Sequence, residues 1–202
     1  MKALFNFIIQ PKGERYNNKK EIDGKELILN TEMQNHNFVN RNAVVIEVPL
    51  VYKGPIQKGD EIIVHHNIFR RFYDVRGKEK NSASFFTEDL YFCQDDQIFL
   101  YKRDDKWITP EGFCFVKPIA KQDKFSLDKE EPLKGILRYT NNELDKMCIA
   151  KGDVVGFTPH SEYEFIIEGE RLYRVQSNSI SILYGHQGNE KEYTTSWEMG
   201  VI

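Results

Sequence analysis

The sequence predicts an all-β chain arranged as two tandem small β-barrels with long loops, and three observations carry that expectation. First, the dominant apolar period is two: Tyr163, Phe165 and Ile167 alternate with Glu162, Glu164 and Glu168, as in a strand with one buried face. Second, the strand-like runs are short, each is bounded by Gly, Pro, Asn or Asp, and no strong amphipathic helix separates them. Third, the chain repeats itself in order. Phe7-Ile8-Ile9-Gln10-Pro11 reads like Cys114-Phe115-Val116-Lys117-Pro118, an offset of 107 from Pro11 to Pro118. Lys58-Gly59-Asp60 before Glu61-Ile62-Ile63-Val64 returns as Lys151-Gly152-Asp153 before Val154-Val155-Gly156-Phe157, an offset of 93. Leu90-Tyr91, Gln94 and Ile98 return as Leu172-Tyr173, Gln176 and Ile180, an offset of 82. Shrinking offsets in fixed order describe one unit present twice, the first copy with two longer loops. The step from 107 to 93 places 14 extra residues between the first strand and the Lys-Gly-Asp turn, and the step from 93 to 82 places 11 more after that turn.

In chain order, strands are expected over residues 4–10, 43–48, 61–66, 90–93 and 97–101 in the first copy, and 112–117, 135–139, 154–157 and 179–183 in the second. A hairpin is expected where the 163–168 run meets Gly169, which supplies positive φ, and returns over 172–175. Residues 141–150 have helix-compatible spacing and a cap at Asn141 or Asn142, enough for one or two turns. The charged stretch Arg103-Asp104-Asp105-Lys106 reads as the boundary, giving domains 1–104 and 105–185 and a tail 186–202 whose Trp197, Met199 and Ile202 are expected to dock.

Composition narrows the function classes. A formal net charge of −3 offers no global basic field for nucleic acid or an anionic membrane. No apolar run of about 18 residues is present, and the start Met1-Lys2-Ala3-Leu4-Phe5 lacks the pattern of a secretory signal. Three scattered cysteines, Cys93, Cys114 and Cys148, fit a reducing compartment with thiols packed as small apolar groups. The expectation is a soluble, cytoplasmic protein, in the host cytoplasm if the source is viral.

The repeated unit has a recognisable order: a strand ending near proline, a long loop, a strand, the Lys-Gly-Asp turn with its apolar strand, a hairpin, a Leu-Tyr strand and a last apolar strand. It resembles the GroES-type co-chaperonin family over nearly the whole chain, twice, with Lys151 to Phe157, Tyr163 to Val175 and Asn178 to Ile182 the nearest match. The resemblance implies two GroES-like small β-barrels and a lid that caps a chaperonin ring and assists protein folding. It implies as partners the apical domains of a GroEL-type chaperonin and a homo-oligomeric ring joined through first and last strands, with neither nucleic acid nor membrane. It implies no enzymatic activity and no cofactor, ATP being bound by the chaperonin.

In that family the loop after the first strand bears an aliphatic tripeptide that docks on the chaperonin rim. Here the loop 12–41 is dense in charge and Asn but contains Leu27, Ile28 and Leu29, which look like that tripeptide. A polar loop cannot bury such an island locally, whereas a partner can. The bland reading is an ordinary strand in a long insertion. Copy two departs from the pattern, since its segment 120–132 has only Phe125 and Leu127. The family lid is a ring of seven single domains, which linked pairs do not divide evenly. The second excess, within 67–86, holds Arg70, Arg71, Arg76, Lys78 and Lys80 and corresponds to an enlarged roof hairpin, either a solvated charged loop or a basic face toward an acidic client.

Catalytic and metal readings gain little. His65 and His66, on adjacent strand positions, are expected to point to opposite faces, poor geometry for one metal. Asp95-Asp96 and Asp104-Asp105 read as turn residues. No phosphate loop, dinucleotide fingerprint or local triad is present. The alternative to the co-chaperonin reading is a viral structural or interaction protein built on the duplicated barrel without chaperonin binding. An alcohol-dehydrogenase-like enzyme, which would share the barrel, needs zinc ligands and a nucleotide domain that this chain does not supply.

Overall fold

A computed structural model describes residues 2–16, 19–22, 25–28, 38–121, 129–185 and 190–192. The chain divides into two compact units, Met1–Trp107 and Ile108–Ile202. The first contains β1 (Phe7–Pro11), β2 (Lys19–Ile22), β3 (Lys25–Ile28), β4 (Asn42–Glu47), β5 (Glu61–Val64), β6 (Arg71–Tyr73), β7 (Glu79–Asn81), β8 (Phe85–Thr87), β9 (Leu90–Cys93) and β10 (Ile98–Arg103), and β11 (Lys106–Ile108) runs across the boundary. Seven of these strands form one sheet in the order β11-β10-β5-β4-β1-β9-β8, while β2–β3 and β6–β7 are separate hairpins. The second unit contains β12 (Phe113–Ala120), β13 (Glu130–Tyr139), helix α1 (Asn142–Lys146), β14 (Val154–Phe157), β15 (Tyr163–Ile167), β16 (Glu170–Gln176) and β17 (Ile180–Gly185). Its sheet runs β15-β16-β12-β13-β14-β17.

With β11 set aside, the two sheet orders are the same, strand for strand, and the registers agree along most of the paired positions. Ile8 faces Glu47 and Ile9 faces Val45, with a break between them; Phe115 faces Tyr139 and Val116 faces Leu137, with the same break. Ile98, Leu100 and Tyr101 face Val64, Ile63 and Ile62, as Ile180, Ile182 and Leu183 face Phe157, Gly156 and Val155. Phe7 faces Cys93 in one unit and Cys114 faces Val175 in the other, so a large and a small side chain share the same place with their strands exchanged. The Lys-Gly-Asp turns repeat down to single bonds. Asp60 accepts the Gln57 N–H and Asp153 the Ala150 N–H, each at 2.8 Å, while Gly59 and Gly152 take φ of 90° and 97° that a side chain would strain.

Period two explains the cores. Phe7, Ile9, Ala43, Val45, Ile62, Val64, Tyr91 and Cys93 lie on one face of their sheet around Ile68 and Phe69. Cys114, Val116, Leu137, Val155 and Val175 do the same in the second unit, joined by Leu144 and Ile149 from the helical segment. The hairpin predicted at Gly169 is present, with Glu168 and Gly169 at φ 51° and 78° between β15 and β16, the backbone of a tight two-residue turn matched to strand twist.

The class is thus all-β with antiparallel sheets, and both large sheets are open: β11 and β8 edge one, β15 and β17 the other. Other expectations shift. The stretch at 103–106 is a hairpin turn inside the first sheet, where Asp104 and Asp105 both take positive φ. The helix expected over 141–150 is confined to α1, with Asn141 as its cap, accepting the Glu143 and Leu144 N–H groups. The strand expected over 61–66 stops at Val64, and a 3-10 turn over His66–Ile68 follows. Among the described residues no helix is long and apolar enough to cross a membrane.

Candidate functional site

The loop between β1 and β4 leaves the first unit through a fixed root. Tyr16 and Val39 form an antiparallel bridge, and the Asn40 N–H donates to the Arg15 carbonyl at 2.9 Å. Asn40, 2 % exposed, donates from Nδ2 to the carbonyls of Lys12 and Glu14 at 3.0 and 2.8 Å and accepts the Asn42 N–H on Oδ1 at 2.9 Å. Its amide therefore ties the outgoing stem to the returning one. Arg15 donates from Nε and Nη2 to the Phe69 carbonyl at 3.2 and 2.9 Å and from Nη1 to Asn81 at 2.9 Å, with its guanidinium 5.2 Å from the centre of the Tyr91 ring. Burial lowers the pKa of Arg15, an effect that the neighbouring Tyr91 partly offsets. The Tyr16 hydroxyl accepts the Arg71 N–H at 2.7 Å.

Beyond that root, β2 and β3 pair with each other, Lys19 with Ile28, Lys20 with Leu27, Glu21 with Glu26 and Ile22 with Lys25, and belong to neither large sheet. Two of the three candidate docking residues, Leu27 and Ile28, are thus strand positions in a hairpin of its own, as the bland reading had it in part. Leu29 lies outside the described residues, as do Phe125 and Leu127 of the second copy and Trp197, Met199 and Ile202 of the tail. The equivalent stems of the second unit are closed differently. Pairing of β12 with β13 runs on to Ala120 and Glu130, and the Lys121 N–H donates to the Lys129 carbonyl at 2.9 Å.

A second surface emerges from the comparison of equivalent strands. In β10 the residues Ile98, Phe99, Leu100 and Tyr101 are all buried and β11 covers the outer edge. In β17, the matching strand, the outer edge is unpaired among the described residues, and Ile182, Leu183 and Tyr184 are 50 %, 48 % and 40 % exposed. Leu4 and Phe5, just before β1, are 57 % and 75 % exposed, beside exposed Leu50, whose N–H donates to the Ala3 carbonyl at 3.1 Å. Sequence reasoning did not single out these residues, although the apolar run in β17 was visible.

The histidines correct the expectation of opposed faces. Because the strand ends at Val64, His65 becomes the cap of the following turn, its Nδ1 accepting the Asn67 N–H at 3.1 Å, and its ring stacks on His66 at 4.4 Å. Among the described residues no group of three or more His, Cys, Asp or Glu is placed to hold a metal. Cys93 and Cys114 are buried and Cys148 is exposed. Burial raises the Cys93 thiol pKa well above its usual value and takes that of Cys114 up to about 12, so both stay protonated and unreactive at neutral pH.

In the second unit, charged groups line β12 and β16. Lys117 contacts Glu170 at 2.8 Å and Glu192 at 2.5 Å, and Arg138 reaches the other oxygen of Glu170 at 2.9 Å. Burial works against both charges, yet hydrogen bonding outweighs it, leaving the Lys117 pKa raised and that of Glu170 lowered. Glu192 also bridges Ile119, and the Ala120 N–H donates to the Lys191 carbonyl at 2.6 Å, so the segment after β17 returns along the end of β12. Comparison of the sequence with known family models and with curated proteins returns no match.

Proposed function

We propose that this chain is a two-domain co-chaperonin of GroES type, each unit a variant of the small barrel in which an open sheet curls around one core. Its task is to cap a chaperonin ring, with Leu27, Ile28 and Leu29 docking on the apical domains, and to assist folding without chemistry of its own. The observation that carries this reading is the pair of units equal in strand order and, along most of the paired positions, in register, of which the first has a long loop fixed at both stems and bearing a hairpin apart from the main sheet. Three aliphatic side chains buried on a partner supply roughly 1.5–3 kcal/mol each before the cost of ordering the loop. One such contact is weak, and several loops on one ring bind tightly together yet remain releasable.

The ring is proposed to close through β17, whose outer edge is unpaired among the described residues. The template is β10, whose edge is covered by the strand that leads into β12. The segment that leads into β1 is residues 2–6, with exposed Leu4 and Phe5. Strand addition between β17 of one copy and this segment of the next gives head-to-tail contacts that propagate around a ring. The test is co-elution with a bacterial chaperonin and nucleotide on a sizing column. Capture that is lost on changing Leu27, Ile28 and Leu29 to Ser supports the reading; absence of capture by any chaperonin, the cognate one included, ends it.

A further inference from the structure

The β6–β7 hairpin is a part of the first unit that the fold does not require. The second unit builds the same strand order while crossing from β14 to β15 over residues 158–162, whereas the first uses residues 65–84 between β5 and β8. The extra residues form a two-stranded ribbon with Arg71 opposite Asn81, Phe72 opposite Lys80 and Tyr73 opposite Glu79. Asp74 closes its turn, Oδ1 accepting the N–H groups of Arg76 and Lys78 at 2.9 Å each. The base is tied down, since Ser82 Oγ donates to the Ile68 carbonyl at 2.6 Å and Arg15 holds Asn81.

What this fixed ribbon presents is apolar and cationic together. Phe72 and its cross-strand partner Lys80 share one exposed face of the ribbon, Tyr73 lies on the other with Glu79, Val75 is exposed in the turn, and Phe85 and Phe86 are exposed on the edge strand β8. Residues 70–86 hold five basic side chains and two carboxylates, in a chain of net charge −3. Both carboxylates are committed, Asp74 to the turn and Glu79 to Arg71 at 2.9 Å. Arg76, Lys78 and Lys80 are exposed and make no ion pair among the described residues. Such a surface matches a segment whose carboxylates are spaced by aromatic or aliphatic side chains, and β8 adds backbone donors and acceptors at a sheet edge. A nucleic-acid strand would bring a phosphate with every nucleotide toward a net acidic chain with few cations to replace its counterions.

We propose that the β6–β7 ribbon and β8 form a docking surface for an acidic, apolar-rich polypeptide segment. The site is independent of chaperonin docking and is tested without a chaperonin. The full chain is titrated into a fluorescein-labelled peptide of about a dozen residues alternating Glu with Phe and Leu, followed by fluorescence anisotropy. Binding is expected to weaken with added salt, and to fall about tenfold in a variant carrying Arg76→Ser, Lys78→Ser and Lys80→Ser. A second variant, Phe72→Ser with Val75→Ser, is expected to bind weakly while keeping the wild-type circular dichroism spectrum. No binding of the acidic peptide, equal binding of its Lys-for-Glu counterpart, unchanged binding by both variants, or stronger binding of an oligothymidylate overturns the proposal.

Discussion

Replacing Asn40 by Ala removes the tie between the two stems of the long loop, and its cost can be worked from the contacts. The side chain is buried and makes three bonds of 3.0 Å or less, two donated to the Lys12 and Glu14 carbonyls and one accepted from the Asn42 N–H, beside a long contact from Asn42 Nδ2 at 3.4 Å that adds little. A net contribution of about 1 kcal/mol per bond sets an upper figure near 3 kcal/mol. Lys12 and Glu14 are exposed residues whose carbonyls can find water, which brings the expectation to about 2 kcal/mol. Asn40→Asp keeps the acceptor but turns a carboxylate oxygen toward two carbonyls, so it should be at least as damaging. Urea unfolding followed by circular dichroism reads the midpoint, and hydrogen exchange over residues 14–16 and 38–42 reads the local opening. A midpoint within about 0.5 kcal/mol of wild type, with unchanged exchange, would refute the assignment of Asn40 as the tie.

Other outcomes follow from the second unit. Asn141→Ala loses the helix cap and the 2.7 Å bonds to the Phe113 carbonyl and Ser177 Oγ, an expected loss of roughly 2–3 kcal/mol by urea unfolding. Gly135→Ala places a Cβ 2.9 Å from Val116 Cβ and 3.0 Å from the Lys117 carbonyl, and should cost about 1–3 kcal/mol, whereas Ala43, its counterpart in the first unit, already carries that methyl group. Because the Glu170 pKa is lowered in the folded state, its share of stability is complete above the unfolded value near 4.5 and is lost as pH falls through the lower folded value. The stability gap between wild type and Glu170→Gln should therefore stay constant above about pH 4.5 and close as pH falls from there to the lower folded value; a gap that does not change with pH would show that Glu170 carries no such share.

Strands whose side chains alternate between core and solvent were legible in the sequence. The alternating run at 90–93 has the bounds expected, as does the run at 154–157, which is buried at all four positions, and the repeat offsets carry into matching registers over most of the pairs. What was not legible is what alternation does not encode. The ribbon β6–β7 is exposed on most of its positions, so no buried face writes a period into it. The polar half of β13, residues 130–134, is a strand because it pairs with the end of β12, a tertiary cause. Asn40 sits in an Asn-rich run where nothing marks it as the one whose amide is buried. His65 departs from the strand pattern because its ring caps a turn three residues long, a local bond that outweighs continuation of the ladder. That the outer edge of β17 is unpaired among the described residues is a matter of sheet order, and no residue within β17 announces it.

Site-specific photocrosslinking tests the central claim most directly. A benzoylphenylalanine at position 30, beside Leu29, should form a nucleotide-dependent adduct with a chaperonin apical domain, and the same group at position 146, in α1 of the second unit, should not. Adducts confined to this chain, or equal labelling from both positions, would contradict a lid held by residues 27–29.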